Sequence, residues 1–373
     1  MVMIVAHHGI VHGLGFENIQ TTTMNNQFGL IYFEVNAFLV IAVNCFFWIS
    51  GYFHIKRRIS RAIELIIETM VYITVLNVIL YLTGNISIVN FLDILKLIKR
   101  VLFFYQGYWF LTAYLILFII SPYLNKMVDA LSHDEKKEAL IVLFLINSVC
   151  GFALKISSLD SGYSVVQGIY MYLVGSLCRT DDIQNFFLNT HNLQETVFWI
   201  FVCSFYCLFK RVPLKMYLWH TCVLWVFKNF FRKKEKILNV LFVIFGLLNG
   251  FVAYIFSLKG YNEAAWRMFS YNNPVIVFMA IVACLSVVHC SRSSKVCDKL
   301  GKMCKYSLAT YLLTDYPLIR EIVFSPLKYL NSISNFEMIL LIFLYAIMLT
   351  FVCMGIDSIR KCLYNYIENK LNV

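Results

Sequence analysis

A chain of 373 residues that is 60% hydrophobic and only 14% charged has too little polar surface to clothe a water-soluble globule of that size. Its formal net charge of +11 would suit a nucleic-acid partner, but the bases gather in connections between apolar runs and no nucleic-acid fold can be assembled around them. The composition describes an integral membrane protein, and because the apolar runs lack the strict alternation of barrel strands, the fold class is all-α, a polytopic helical bundle.

Reading the runs in chain order against about 20 residues per crossing predicts roughly ten to twelve transmembrane helices. The clearest lie at 35–53, 62–82, 107–124, 139–156, 162–178, 237–257, 274–290 and 338–356, with weaker runs at 194–209, 216–231 and 306–323. The segment before them, "MIVAHHGIVHG", is apolar but short, so the first helix is expected to be truncated at its start. It holds His7, His8 and His12, and an ionisable side chain in a lipid-bound helix points to a cavity or a partner helix. Adjacent histidines point about 100° apart, so one of His7 and His8 suffices for a site; a neutral imidazole there can take a proton from a hydroxyl near pH 7. His12 is nearer the outer end and is read as interfacial.

The next run, "NCFFWISGYFHIKRR", carries Asn44, Ser50 and Gly51 into the bases Lys56, Arg57, Arg58 and Arg61. Small residues there permit close helix approach, and the bases serve as a topology signal or a phosphate pocket. "FLDILKLIKR" sets apolar residues against Asp93, Lys96, Lys99 and Arg100, a pattern that suits a helix lying in the membrane interface. "YWFLTAYLILFIISPYLNK" has Trp109 and Tyr108 at one end and Ser121-Pro122 at the other, read as an aromatic belt and a helix terminus.

Placing 54–61, 232–236 and 291–305 inside by the positive-inside rule puts both termini inside and leaves 15–34, which has Glu17 and Glu34 and no base, outside. The bases of 93–100 and 210–215 run against this assignment. The twelve cysteines form no CxxC pair, no metal-ligand spacing is evident, and no repeat or soluble segment divides the chain; residues 1–373 are read as one domain with no metal.

Taken in order, "IVAHHGIVHG", "NCFFWISGYF" with its trailing bases, "YWFLTAYLILFIISPYLN", "YMYLVGSLCR", "KYSLATYLLTDYPLIR" and "GIDSIRKCL" resemble the membrane-bound acyltransferase family 3, the O-acyltransferases of bacterial surface polysaccharides and related glycans. In that family the first helix carries an arginine and, about three turns on, an essential histidine. His8 matches this histidine, with His7 second, while the position of the arginine falls before Met1. Relatives commonly carry a histidine where Thr314-Asp315 stands. The resemblance implies an enzyme of the bacterial inner membrane that moves an acetyl or other small acyl group from cytoplasmic acyl-CoA to a hydroxyl of a glycan or lipid-linked sugar. His8 would be the base, and Arg57, Arg58 and Arg61 would hold the donor phosphates, guanidinium being a planar bidentate donor. Asn44, Ser50, Trp109 and Tyr114 are candidates for lining the substrate cavity. Competing readings are a transporter or flippase for a lipid-linked sugar, which calls for helix breaks at the midplane, and an inactive paralogue.

Overall fold

The computed structural model describes residues 1–20, 28–56, 58–102, 107–156, 159–179, 234–290, 295–328 and 334–371. Every regular element among them is helical. Five helices are long and apolar enough to cross a membrane: Leu30–Tyr52, Ile59–Leu82, Trp109–Ala130, Leu238–Leu258 and Asn335–Tyr366. Shorter apolar helices occupy Val2–Gly13, Val165–Leu177 and Pro274–Val288. The weak runs at 194–209 and 216–231 lie outside the described residues.

The chain divides into two compact units. The first comprises Met1–Glu17, Arg58–Leu111 and Arg292–Val373, and contains α1 (Val2–His8), α4 (Ile59–Leu82), α5 (Phe91–Leu102), α12 (Lys295–Cys304), α13 (Leu308–Thr314), α14 (Pro317–Lys328) and α15 (Asn335–Leu371). The second comprises Asn18–Arg57 and Thr112–Ser291, with α2 (Leu30–Val40), α3 (Ala42–Tyr52), α7 (His133–Phe144), α8 (Val165–Leu177), α9 (Lys234–Leu258), α10 (Asn262–Arg267) and α11 (Pro274–Cys290). α6 (Trp109–Ala130) begins in the first and continues in the second.

In the first unit, α4 exposes Ile59, Ile63, Ile67, Val71, Val75 and Val78, and α15 exposes Phe336, Leu340, Leu344, Met348, Phe351 and Ile359. Stripes of large aliphatic residues at helical spacing are tolerable against lipid and not against water. α15 has 37 residues, about 55 Å of helix, so it runs well beyond a hydrocarbon layer of ~30 Å. α5 buries no side chain and carries Phe91, Leu92, Ile94, Leu95 and Ile98 exposed, in keeping with the expected interfacial helix. Asn90 caps it: its Oδ1 accepts from the Asp93 N–H at 3.1 Å, while Asp93 Oδ2 accepts from the Val89 and Asn90 amides.

Three expected boundaries are corrected. The run 107–124 does not end at Ser121-Pro122, since α6 continues to Ala130. Pro122 cannot donate to the Phe118 carbonyl, and Ser121 Oγ donates to it instead at 2.9 Å, so the helix survives its proline. Ser325 Oγ does the same for Ile322 O at 2.8 Å beside Pro326 inside α14. The run 306–323 is not one helix, because it breaks at Asp315-Tyr316 between α13 and α14; Pro317 disfavours helical backbone at Tyr316 and starts the next helix. The run 139–156 is the end of α7 followed by a wider π-helical stretch, Leu145–Ala153.

In the second unit, α3 packs on α8 at two glycines. A Cβ on Gly51 would fall within the Tyr172 carbonyl, and one on Gly175 within the Trp48 carbonyl, so the helices meet backbone to backbone.

Candidate functional site

The site grows from α1. Ile4, Val5, Ala6 and His7 are buried along it, and the helix widens into a π-helical turn at Gly9–Gly13, closed by the Leu14 amide donating to Gly9 O at 3.1 Å. π turns recur at functional sites because they re-aim the side chains beside them. Gly9 and Gly13 leave room for α14 and α15: Cβ atoms there would stand 3.2 Å from Ile342 and 3.0 Å from Leu327. His8 is thereby set among rings, with centroids 5.8 Å from His7, 5.5 Å from His12 and 6.4 Å from Phe324, the last edge-on.

The break between α13 and α14 supplies the partner. His8 Nδ1 lies 3.7 Å from Asp315 Oδ1, the two side chains being 12% and 9% exposed. Asp315 is in turn 3.4 Å from Arg320, and Thr314 Oγ1 is occupied by Thr310 O at 2.7 Å. Three tyrosines brace the break. Tyr108 donates to Leu312 O at 2.6 Å and stacks on Tyr316, Tyr316 donates to Asn77 Oδ1 at 3.2 Å, and Tyr311 lies against Tyr108. On the far side of His8, His12 Nδ1 stands 2.9 Å from Glu17 Oε2, and this contact holds the Glu17 carboxyl below its ordinary range.

A histidine backed by a carboxylate is equipped for proton abstraction. One ring nitrogen can accept from a hydroxyl while the carboxylate orients the other and stabilises the imidazolium that forms. At 3.7 Å the pair is looser than a hydrogen bond. Asp315, Arg320 and Glu17 are the neighbours that the sequence reading did not assign. The available signal was an acid two residues before a proline inside an apolar run.

Farther along α15 the first unit holds a second polar cluster. Arg360 bonds Asp357 Oδ1 at 2.6 Å and Glu68 Oε1 at 3.1 Å, and Tyr72 donates to the same Asp357 oxygen at 2.7 Å. Glu64 joins Arg61 at 2.7 Å to Lys361 at 3.6 Å. Arg61 and Glu64 are each about 40% exposed, a surface pair worth little to stability. Arg58 is exposed, and Arg57 lies outside the described residues. Ile342 meets Gly9 and Arg360 meets Glu68, so about 27 Å of α15 separates the His8 level from these bases at 1.5 Å per residue.

Trp109, at the start of α6, belongs to the first unit and packs edge-on against Phe110. Asn44, Ser50 and Tyr114 belong to the second. Asn44 is fully buried, donating to Tyr271 O at 2.9 Å and accepting from Gln167 Nε2 at 2.9 Å, and Asn147 donates to Gln167 Oε1 at 2.6 Å. Ser50 Oγ donates to Phe46 O of its own helix at 2.8 Å, and Tyr114 lies edge-on to Phe46.

This unit also contains a histidine–serine pair, His54 Nε2 to Ser176 Oγ at 2.6 Å. Arg179 stands 3.0 Å from His54 Nδ1, and a guanidinium can only donate, so Nδ1 is the acceptor and Nε2–H donates to the serine. The pair therefore binds the α3 end to α8 and does not activate Ser176. Burial and the Arg179 charge both hold the His54 pKa down.

Comparison with curated proteins and comparison with solved structures each give no match. The family model described as an acyltransferase domain matches residues 1–357, nearly the whole chain and both of its units. With its apolar helices and that match, this multi-pass membrane chain belongs to acyltransferase family 3.

Proposed function

We propose that the protein transfers an acetyl or other small acyl group from cytoplasmic acyl-CoA to a hydroxyl of an envelope, capsular or exopolysaccharide sugar, at the bacterial inner membrane. The observation that carries this reading is His8, only 12% exposed in an acyltransferase-family chain, with the Asp315 carboxylate 3.7 Å from its ring. His8 takes the acceptor proton as the hydroxyl oxygen attacks the thioester carbonyl. The thiolate of CoA leaves, and the proton is passed on to it or to solvent; His7 is the second choice for the base.

Arg57, Arg58 and Arg61 hold the donor phosphates, with the pantetheine arm extended along the bundle toward the histidines. Asn44, Ser50, Trp109 and Tyr114 are proposed substrate contacts. We take both units as parts of one domain of ten to twelve membrane helices, since the family match runs through both.

Comparing base-labile O-acetyl groups on purified surface glycan by NMR, in cells with and without the gene, tests the reading. We expect the groups to vanish on deletion and return with the wild-type gene. Glycan lost from the surface with its acylation unchanged would favour transport, which the break at Asp315-Tyr316 within an apolar run would also suit. For the donor site, Arg57→Ala combined with Arg58→Ala is expected to raise the KM for acyl-CoA about tenfold or more while insertion is retained, since other connections keep their bases. Equal donor kinetics in the double variant would remove the phosphate clamp.

A further inference from the structure

We propose that His8, His12 and Asp315 form a binding site for a divalent transition-metal ion, best suited to Zn2+, whose occupancy blocks acyl transfer. Two imidazoles and one carboxylate are a borderline-soft donor set that suits zinc, and one ligand atom from each residue lies within 4.8 Å of the others. The backbone arranges this: His8 and His12 are four residues apart on a helix that widens between them, and the α13–α14 break brings Asp315 to their face. Nothing in the spacing of the sequence reveals the third ligand, more than 300 residues away, and so the sequence alone leads to an expectation of no metal.

Two further features point to a ligand. His8 Nδ1 is buried without a hydrogen-bond partner, and in the tautomer with the ring proton on Nε2 it offers a lone pair to a cation. His12 has Glu17 2.9 Å behind its Nδ1, the arrangement in which a carboxylate fixes the tautomer of a metal-bound imidazole and leaves Nε2 free for the ion. Arg320 beside Asp315 offsets part of the carboxylate charge. That favours a reversible ion over a permanently held one. Three protein ligands leave a coordination position open to water. The inhibitory consequence, though not the site, rests on His8 being the base: an imidazole whose lone pair is held by a metal cannot accept a proton.

The test uses the full chain in detergent, tag-free and stripped with chelator. Titration with Co2+ is read by its visible ligand-field bands and followed by displacement with Zn2+. We expect one ion per chain, with affinity falling tenfold or more in His12→Ala and in Asp315→Asn, and less in Glu17→Gln. Glu17 is half-exposed, so its variant keeps the fold and reports only on the carboxylate behind the His12 ring. An absent Co2+ band in the wild type, or an affinity unchanged in His12→Ala, overturns the site. Acyl transfer is then measured with and without Zn2+, each variant against its own metal-free rate. Inhibition of the wild type that weakens in His12→Ala supports the block. Binding without inhibition leaves the site standing and refutes the block, and with it the role of His8 as base.

Discussion

Replacing His8 by alanine is expected to lower acyl transfer by about 10²–10⁴-fold, the range that a positioned general base contributes, while the chain still inserts and folds. The fold should tolerate the change because α1 is held by its apolar residues, Ile4, Val5 and Ala6, and by the close approach of Gly9 to Ile342; His8 itself donates no hydrogen bond from Nδ1. The informative companion is Asp315→Asn. If Asp315 orients the ring and stabilises the imidazolium, the asparagine removes the charge and keeps the shape, so kcat falls with little change in the KM for the donor. If Asp315 only balances Arg320, at 3.4 Å, the variant is destabilised and kcat per folded molecule is unchanged. Kinetics on detergent-purified protein, normalised to the folded fraction, separate the two. Wild-type rates in His8→Ala would move the base to His7.

What the sequence made legible follows from where the physics is local. Apolar length and the absence of alternation were enough to give an all-helical membrane chain, and the amphipathic pattern of 91–100 was enough to give α5 as a helix. Ser50-Gly51 was read as a place of close helix approach, and Gly51 does meet the backbone of α8. His8 stood out because a histidine in an apolar helix demands a reason. Its partner did not stand out: Asp315 reaches it through the tertiary fold, and its position depends on a break that the hydropathy of 306–323 conceals and only Pro317 betrays. Ser121-Pro122 reads as a helix end and is not one, because the serine hydroxyl that repairs the proline acts through a hydrogen bond that composition does not record. Nor does local pattern reveal that the bases after Tyr52 and the "GIDSIRKCL" run meet: Arg61 and Lys361 share Glu64 although 300 residues separate them.

Gly51→Ala and Gly175→Ala are expected to be the most destabilising small substitutions in the second unit. At each position the added methyl would collide with a carbonyl of the facing helix, Tyr172 for the first and Trp48 for the second, and a carbonyl fixed in a helix cannot rotate aside as a side-chain tip can. The helices must separate, which loosens everything that depends on their spacing. That includes the hydrogen bond from the Ile55 amide to Tyr172 Oη at 3.2 Å and the His54–Ser176 contact at 2.6 Å. Overpacking of this kind costs about 1–3 kcal/mol, and a backbone-to-backbone contact belongs at the upper end. Gly355→Ala is the control: it lies in α15 with nothing within 4 Å of the added atom, and exchanging glycine for alanine in a helix is favourable by about 0.8–1 kcal/mol. Unfolding in detergent should therefore shift in opposite directions for the two kinds of variant. If Gly51→Ala and Gly355→Ala shift it alike, α3 and α8 do not touch through their backbones, and the loop carrying His54 is held in place by something else.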